Sequence, residues 1–514
     1  MTKVPTKVPT KVPTGGAASA MNILFACSEL YPLIKTGGLA DVAYNLPLAL
    51  HHQGHKVRIV LPAYRAVLDG LSHLKPVGQI NTSIQGYDVS LLKTSLKNTE
   101  LQVYLVHCPA LFDRPGGPYG EFADHSWEDN AQRFGLFCRI VTLIATDRAG
   151  LAWQPDLVHC NDWHTALVPM LLRVYQSRPR SLFTIHNLAY QGLFSEADFK
   201  ALKLPEVIDG VRLWDFRALE FYGQMSFMKA AIVFADAVNT VSRGYAREVL
   251  TPQFGCGLDG LLRTIGDRFH GIVNGIDTKF WDPGNDCFIE TLYGASSLHR
   301  KIFNKLALQS EFHISSYGNG NSNGNNNERP LLGVVSRLTG QKGIDLILET
   351  LPRIIESGFD MVVLGSGEKS VEIELQAAAA KYRGRVGVRI GYDERIAHMI
   401  IAGADALLIP SRYEPCGLTQ MYAQRYGTVP VAHGVGGLAD TIIDIPPYTE
   451  DIADATGLLF WDFSSSALLE ALQRLAFVYD NLLLWRQLQR AGMRENFSWE
   501  HSADQYCRLY QSLC

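Results

Sequence analysis

Short, predominantly apolar runs alternate with longer amphipathic stretches along this chain, and the alternation comes in two series. The first series has runs at 23–27, 57–61, 102–108, 156–160, 182–185, 237–241 and 271–273. The second has them at 331–335, 361–364, 386–390, 406–409 and 428–432. A strand that is apolar at every position is buried on both faces, which requires a parallel sheet covered by helices on each side. Stretches such as "TALVPMLLRVYQ", "RGYAREVL" and "GIDLILETLPRIIESG" supply those helices. Two series predict an α/β protein with two doubly wound domains, 21–275 and 276–490. A length of 514 residues agrees with more than one domain.

Three segments stand outside this rhythm. Residues 1–20 carry the repeat "TKVPTKVPTKVPT" followed by "GGAASA". They lack both the apolar middle of a secretory signal and the arginines of a transit peptide, and read as a disordered tail before Met21. Residues 315–330, "SSYGNGNSNGNNNERP", are dominated by Asn, Gly and Ser and read as a flexible surface insertion. At the far end, 491–514 contains a last amphipathic helix, "FSWEHSADQYCRLYQSL".

Bulk chemistry narrows the partners. A net charge of −4 argues against nucleic acid or an anionic membrane surface as the main partner. No apolar run has membrane-spanning length. The 9 cysteines are scattered without a C-x-x-C pair, which favours a reduced compartment over a disulfide framework.

In open parallel sheets ligands bind beyond the carboxyl ends of the strands. The residues placed there are unusual in both series. In the first they are Lys35 with Gly37 and Gly38, "NDWH" with Asp162, His186 with Asn187, and Asn274 with Gly275. In the second they are "SRLTGQKG" with Arg337 and Lys342, "GSGE" with Gly365, "GYDE" with Tyr392, "SRYEPCG" with Glu414, and "HGVGGLAD" with Gly436 and Gly437. Singly, each has a bland reading as a turn, a solvated charge or a satisfied core histidine. Together they describe a cleft between two facing domains.

The residue types suit a nucleotide-sugar. A phosphate needs close backbone approach, free N–H donors and positive charge, which glycines before a helix and Lys or Arg supply. Tyr392 is suited to stacking on a base. Glu414 suits sugar hydroxyls or developing positive charge. No acidic cluster has metal-ligand spacing. A nicotinamide-dependent oxidoreductase would want a complete G-x-G-x-x-G after its first strand, where this chain has Lys-Thr-Gly-Gly.

The segments "KTGGLADV", "NDWHTALVP", "TIHNLAYQG", "VNTVS", "VNGID", "SRLTGQKG", "GYDE" and "PSRYEPCGLTQMY" resemble the motifs of bacterial glycogen synthases and plant starch synthases, from about Met21 to the end. The resemblance implies the GT-B architecture, with the final helix crossing back to the first domain. It also implies transfer of glucose from ADP-glucose to the non-reducing end of an α-1,4-glucan, with retained anomeric configuration and with neither metal nor cofactor. The cytoplasm of a bacterium, or a plastid stroma, is the implied setting; a small acceptor or UDP-glucose is the alternative.

Position by position, the resemblance gives Lys35 and the Gly37–Gly38 turn to the donor's diphosphate, and Arg337 with Lys342 to the departing ADP. His186 falls beside the reacting sugar, with Asp162 and Asn187 near it, and Asn274 and Gly365 join the donor side. Glu414 is the acid beside the transferred glucose, as electrostatic stabiliser or sugar positioner more readily than covalent nucleophile. Cys416, Gly417 and Leu418 present backbone donors to its hydroxyls, and Gly436 and Gly437 present theirs to phosphate. Tyr392 lies near adenine. "DRPGGPY" makes Tyr119 a glucan-stacking candidate. Two departures from the pattern are Val435, where a threonine is common, and Tyr422, where related retaining transferases repeat a glutamate.

Overall fold

The computed structural model describes residues 20–80, 86–122, 125–315, 329–446, 452 and 454–514. The N-terminal repeat and all but the edges of the 315–330 insertion lie outside the described residues.

The first sheet has nine strands: β1 (Asn22–Ala26), β2 (Lys56–Pro62), β3 (Lys75–Gln79), β4 (Ser90–Ser95), β5 (Gln102–His107), β6 (Leu157–Asn161), β7 (Arg180–Ile185), β8 (Ala237–Thr240) and β9 (Phe269–Gly271). Their order is β9-β8-β7-β6-β1-β2-β5-β4-β3. β1 pairs in parallel with β2 on one side and β6 on the other, Ile23 lying beside Val57 and Leu157. The chain therefore winds outward from β1 in one direction and later resumes in the other. That reversal opens a crevice at the carboxyl ends of β1 and β6, where the Lys-Thr-Gly-Gly loop and Asp162 stand.

The second sheet repeats the device with six parallel strands: β10 (Leu331–Val335), β11 (Asp360–Gly365), β12 (Val386–Ile390), β13 (Ala406–Ile409), β14 (Val429–His433) and β15 (Leu458–Phe460), in the order β12-β11-β10-β13-β14-β15. Its switch lies between β10 and β13. The loops there carry Arg337 with Lys342 and Glu414 with Cys416.

Every expected parallel strand is present, with ends shifted by at most two residues. β3, β4 and the short β15 were not expected. β4 runs antiparallel to β5 and β3 antiparallel to β4, and sequences such as "SLLKTS" mix polar and apolar residues because one face is only half-buried. The expected helix "TALVPMLLRVYQ" shrinks to a 3₁₀ turn, Trp163–Thr165, and the short helix Leu167–Leu172.

Two chain crossings join the domains, and they lie side by side. Ile276 pairs with Ser498, its amide donating to the carbonyl of Phe497 at 2.8 Å. Gly275 passes so close to the returning chain that a Cβ there would lie 2.7 Å from the backbone N and Cα of Trp499. The return falls at 495–498 rather than 491, because Leu482–Arg494 is one helix packed on the second domain, with Gln489 donating to the carbonyl of Gly427. The closing helix, Trp499–Leu513, then completes the core of the first domain. Tyr510 hydrogen-bonds His159 at 2.7 Å, Asn239 donates to Tyr506, and Ser502 donates to the carbonyl of Val273.

Candidate active site

The two switch points face each other. Gly38, the first residue of the helix Gly38–His52, lies against Leu418 of the second domain; a Cβ at 38 would be 4.0 Å from its Cδ1. The side chain of Tyr413, in the loop bearing Glu414, lies near Asn187 and Arg337. A small apolar cluster of Val241, Ile276, Cys416 and Met421 seals the base of the cleft. Beside it Ser242 donates to the carbonyl of Pro415, and the amide of Gly244 donates to Asp440 at 2.6 Å.

On the first domain, Lys35 is half-exposed and held by Asp41 at 2.9 Å. It lies in the field of Glu394 from the second domain, whose carboxylate accepts from the Tyr392 hydroxyl. The structure thus brings Lys35 and Tyr392 to the same end of the cleft. Tyr392 is 73% exposed, with a ring face open to stacking. The amides of Thr36 and Gly37 do not point into open space. Both donate to Glu29, at 2.6 and 3.0 Å, and the Thr36 hydroxyl donates to the same carboxylate.

Glu29 was not singled out in the sequence. It is buried, and its remaining donor is the hydroxyl of Tyr119 at 2.7 Å. Tyr119 therefore faces inward, its hydroxyl also 2.8 Å from Ser28 and its ring stacked on His164 with centroids 4.4 Å apart. One ring face and the polar tip are thus already engaged, and what Tyr119 visibly does is brace the Lys-Thr-Gly-Gly loop through Glu29.

At the end of β6, Asp162 occupies a left-handed backbone conformation (φ 56°, ψ 177°) that few residues other than glycine adopt. The strain aims its carboxylate at the backbone amides of His186, at 2.9 Å, and Asn187. Burial nonetheless pushes the Asp162 carboxyl up to about 7. Burial also lowers His186 to about 3, so the imidazole is neutral. Asn161 donates its amide N–H₂ to the carbonyl of Ala26, leaving Oδ1 as an acceptor 3.0 Å from His186 Nε2. Nε2 therefore carries the proton and Nδ1 is left as an acceptor.

On the second domain, Lys342 Nζ lies 2.6 Å from Glu414, which also accepts from the Ser411 hydroxyl at 2.9 Å. Both side chains of the ion pair are largely buried. Arg337 is exposed, with one contact to Gln341 at 3.2 Å, so its guanidinium is available to a ligand. Burial pushes the Cys416 thiol, beside the backbone of Asn274, up to about 12. Asn274 Oδ1 is buried without a partner among the described residues.

Several of the expected glycines turn out to be sites of close packing. A Cβ at 436 would lie 2.0 Å from the carbonyl oxygen of Glu414, one at 437 2.1 Å from that of Cys416, and one at 365 2.0 Å from that of Ser336. The amides that the sequence suggests for phosphate are engaged too: Gly436 donates to Glu248 at 2.6 Å and Gly437 to the Glu414 carbonyl at 3.0 Å. These two glycines let the loop bearing Glu414 and Cys416 lie flat on the helix Gly436–Thr441. Gly417 sits at φ 71° and turns the same loop. Among the described residues no group of three or more His, Cys, Asp and Glu side chains is arranged to hold a metal.

Comparisons with known proteins agree with this geometry. The sequence pattern of the starch synthase catalytic domain matches residues 22–264, and that of glycosyl transferases group 1 matches 319–476. Glycogen synthase 2 of Nitrosococcus oceani is 49% identical over 96% of this chain and 97% of its own length. A glycogen synthase of Thioalkalivibrio sulfidiphilus is 46% identical over 96% of this chain and all of its own. Among solved structures, the catalytic domain of starch synthase IV from Arabidopsis thaliana, bound to ADP and acarbose, superposes with a TM-score of 0.82 at 32% identity, covering 96% of this chain and 99% of that one.

Proposed function

The chain belongs to the family of bacterial glycogen synthases and plant starch synthases, and on that premise we propose that it moves glucose from ADP-glucose to the non-reducing end of an α-1,4-glucan with retention of configuration. The observation that carries this reading is the bond from the Ser242 hydroxyl to the carbonyl of Pro415. It holds the loop bearing Glu414, and with it the Lys342–Glu414 pair, against the first domain, whose strand ends carry Lys35, Asp162 and His186.

In this reading ADP leaves as the bond between the anomeric carbon and its phosphate oxygen breaks. The acceptor hydroxyl forms the new bond on the same face, and its proton passes to the departing phosphate oxygen. Negative charge grows on the diphosphate, where Arg337 and Lys342 oppose it. Positive charge grows on the sugar ring, where Glu414 stands. A neutral His186 adds no competing charge and presents Nδ1 as an acceptor for a sugar hydroxyl. The unpartnered Oδ1 of Asn274 offers a second acceptor. A diphosphate that draws Lys342 away also weakens its hold on Glu414, so donor binding and positioning of the acid are coupled. The Tyr392 ring receives the adenine. Domain contact at Gly38 and Leu418 keeps water, the rival acceptor, from the sugar.

Incubation with ADP-glucose or UDP-glucose, each with glycogen or maltose, tests the proposal by following released nucleotide and chain growth. Faster transfer from ADP-glucose to glycogen is expected. Growth of maltose alone, or use of UDP-glucose alone, would replace it with the small-acceptor or UDP-glucose alternative.

A further inference from the structure

Three large aromatic side chains of the first domain are exposed without an evident packing reason: Tyr190 (54%), Phe216 (72%) and Tyr222 (84%). They are not scattered. Tyr190 follows β7 in the loop that carries His186 and Asn187, its amide donating to the carbonyl of Asn187 at 3.2 Å, and it lies in the neighbourhood of Tyr413 of the second domain. Gln191, next to Tyr190, donates to the carbonyl of Cys256 at 2.9 Å. A Cβ at Gly257 would touch Phe221 and Tyr222 at 2.9 and 3.5 Å. Lys229 then ties the carbonyl of Glu220, at the base of that hairpin, to the carbonyl of Phe216. The segments bearing the three rings are thus linked in sequence from the loop at the cleft outward over the first domain.

The hairpin itself is built at a cost. Glu220–Phe221 and Gln224–Ser226 pair with a two-residue turn, Tyr222–Gly223, and both turn residues have positive φ, 50° and 80°. Asn, Asp or Gly normally takes the first of these positions, because an L side chain there is strained. A tyrosine in that position, almost wholly in solvent, makes an edge contact with Phe221 at 4.8 Å and lies against Gly257, while the Gly223 amide braces the turn by donating to Glu220 at 2.7 Å. A strained aromatic held out into solvent on a braced turn points to a role in contact with something else.

We propose that Tyr190, Tyr222 and Phe216 form a track for the acceptor, on which successive residues of an α-glucan lie as the chain leaves the cleft. This rests on the transfer reaction proposed above. The C–H-bearing face of a glucose ring is apolar and stacks on an aromatic face, while its rim of hydroxyls hydrogen-bonds neighbouring polar groups. Asp215 and Arg217, paired at 2.9 Å and exposed on either side of Phe216, supply such groups. Short acceptors end before the track; long ones use all of it.

Tyr222→Ala and Phe216→Ala test this by steady-state kinetics with glycogen and with maltotriose at saturating ADP-glucose. The KM for glycogen should rise about tenfold in the double variant, with kcat and the maltotriose KM unchanged, and Tyr222→Trp should restore it. An unchanged glycogen KM, an equal rise for maltotriose, or a drop from dimer to monomer in sedimentation would overturn the track, the last by making the strip a contact between copies. If the unsubstituted protein transfers no glucose to either acceptor, the reaction fails rather than the track.

Discussion

Replacing Lys342 with alanine separates the role that the structure gives to one ammonium group from the role proposed for it. It balances the buried Glu414 carboxylate at 2.6 Å, and in the proposed reaction it meets the departing diphosphate. Removing it leaves that carboxylate with a single side-chain donor, the Ser411 hydroxyl at 2.9 Å. Breaking a buried pair in this way costs about 3–5 kcal/mol. The surviving hydroxyl bond to a charged acceptor, about 1.5 kcal/mol or more, puts the expected loss near the lower end of that range, about 3 kcal/mol of unfolding free energy. Loss of one preorganised group that stabilises transition-state charge costs about 100- to 1000-fold in kcat. The second substitution, Glu414→Gln, removes the orphaned charge. The double variant should therefore regain most of the lost stability in urea unfolding, while its turnover stays at or below that of Lys342→Ala. Recovery of turnover together with stability in the double variant would refute the cationic role and reduce Lys342 to a prop for Glu414. Near-normal kcat in Lys342→Ala alone would do the same.

Arg337→Ala, whose side chain makes one long contact in the protein, should leave thermal stability within experimental error yet lower kcat about 100-fold, as measured by ADP release. Tyr119→Phe should raise the KM for ADP-glucose while leaving the glycogen KM alone, because the lost hydroxyl braces Glu29 under the Lys-Thr-Gly-Gly loop; the opposite pattern would return Tyr119 to the acceptor. Asp162 titrates near 7 in the fold and near 3.8 when unfolded, so its stabilising share is full in acid and is lost as pH rises through 7. Asp162→Asn keeps an acceptor for the two amides, and its melting temperature relative to the parent should be most favourable above pH 7 and least so near pH 4, by calorimetry. Gly275→Ala forces a methyl against the Trp499 backbone and should cost about 1–3 kcal/mol, seen as a lowered melting temperature.

Much of the fold was legible because a strand buried on both faces leaves a largely apolar run; β1, β10 and β13 are of this kind, and β6 keeps it at Leu157, Val158 and Cys160 despite a buried His159 and Asn161. From those four strands the rule of ligands at switch points leads directly to Lys35, Asp162, Arg337 and Glu414. β3 and β4 escaped because a half-exposed antiparallel edge has no such run. The local chemistry of the site was legible as residue types but not as pairings. Nothing in "SRLTGQKG" and "SRYEPCG" says that Lys342 and Glu414, 72 positions apart, touch. Glu29 was the legible residue that went unread: an acid straight after a buried strand and just before a glycine turn has amides to accept. Gly436 and Gly437 show the reverse error, since a glycine that admits a phosphate and a glycine that admits a neighbouring backbone look alike in a sequence.

The closing helix has a consequence for biosynthesis. A ribosome delivers the first lobe early, and N-terminal domains generally fold as they emerge. Here the partners that His159 and Asn239 need, Tyr510 and Tyr506, lie 351 and 267 positions further along the chain. Until that helix has emerged the first lobe has an open seam where it belongs, and the strap beside Ile276 is missing. Quality control during translation therefore meets an unfinished first lobe throughout synthesis of the second, and a messenger cut before the codons of the closing helix yields a protein faulty at its opposite end.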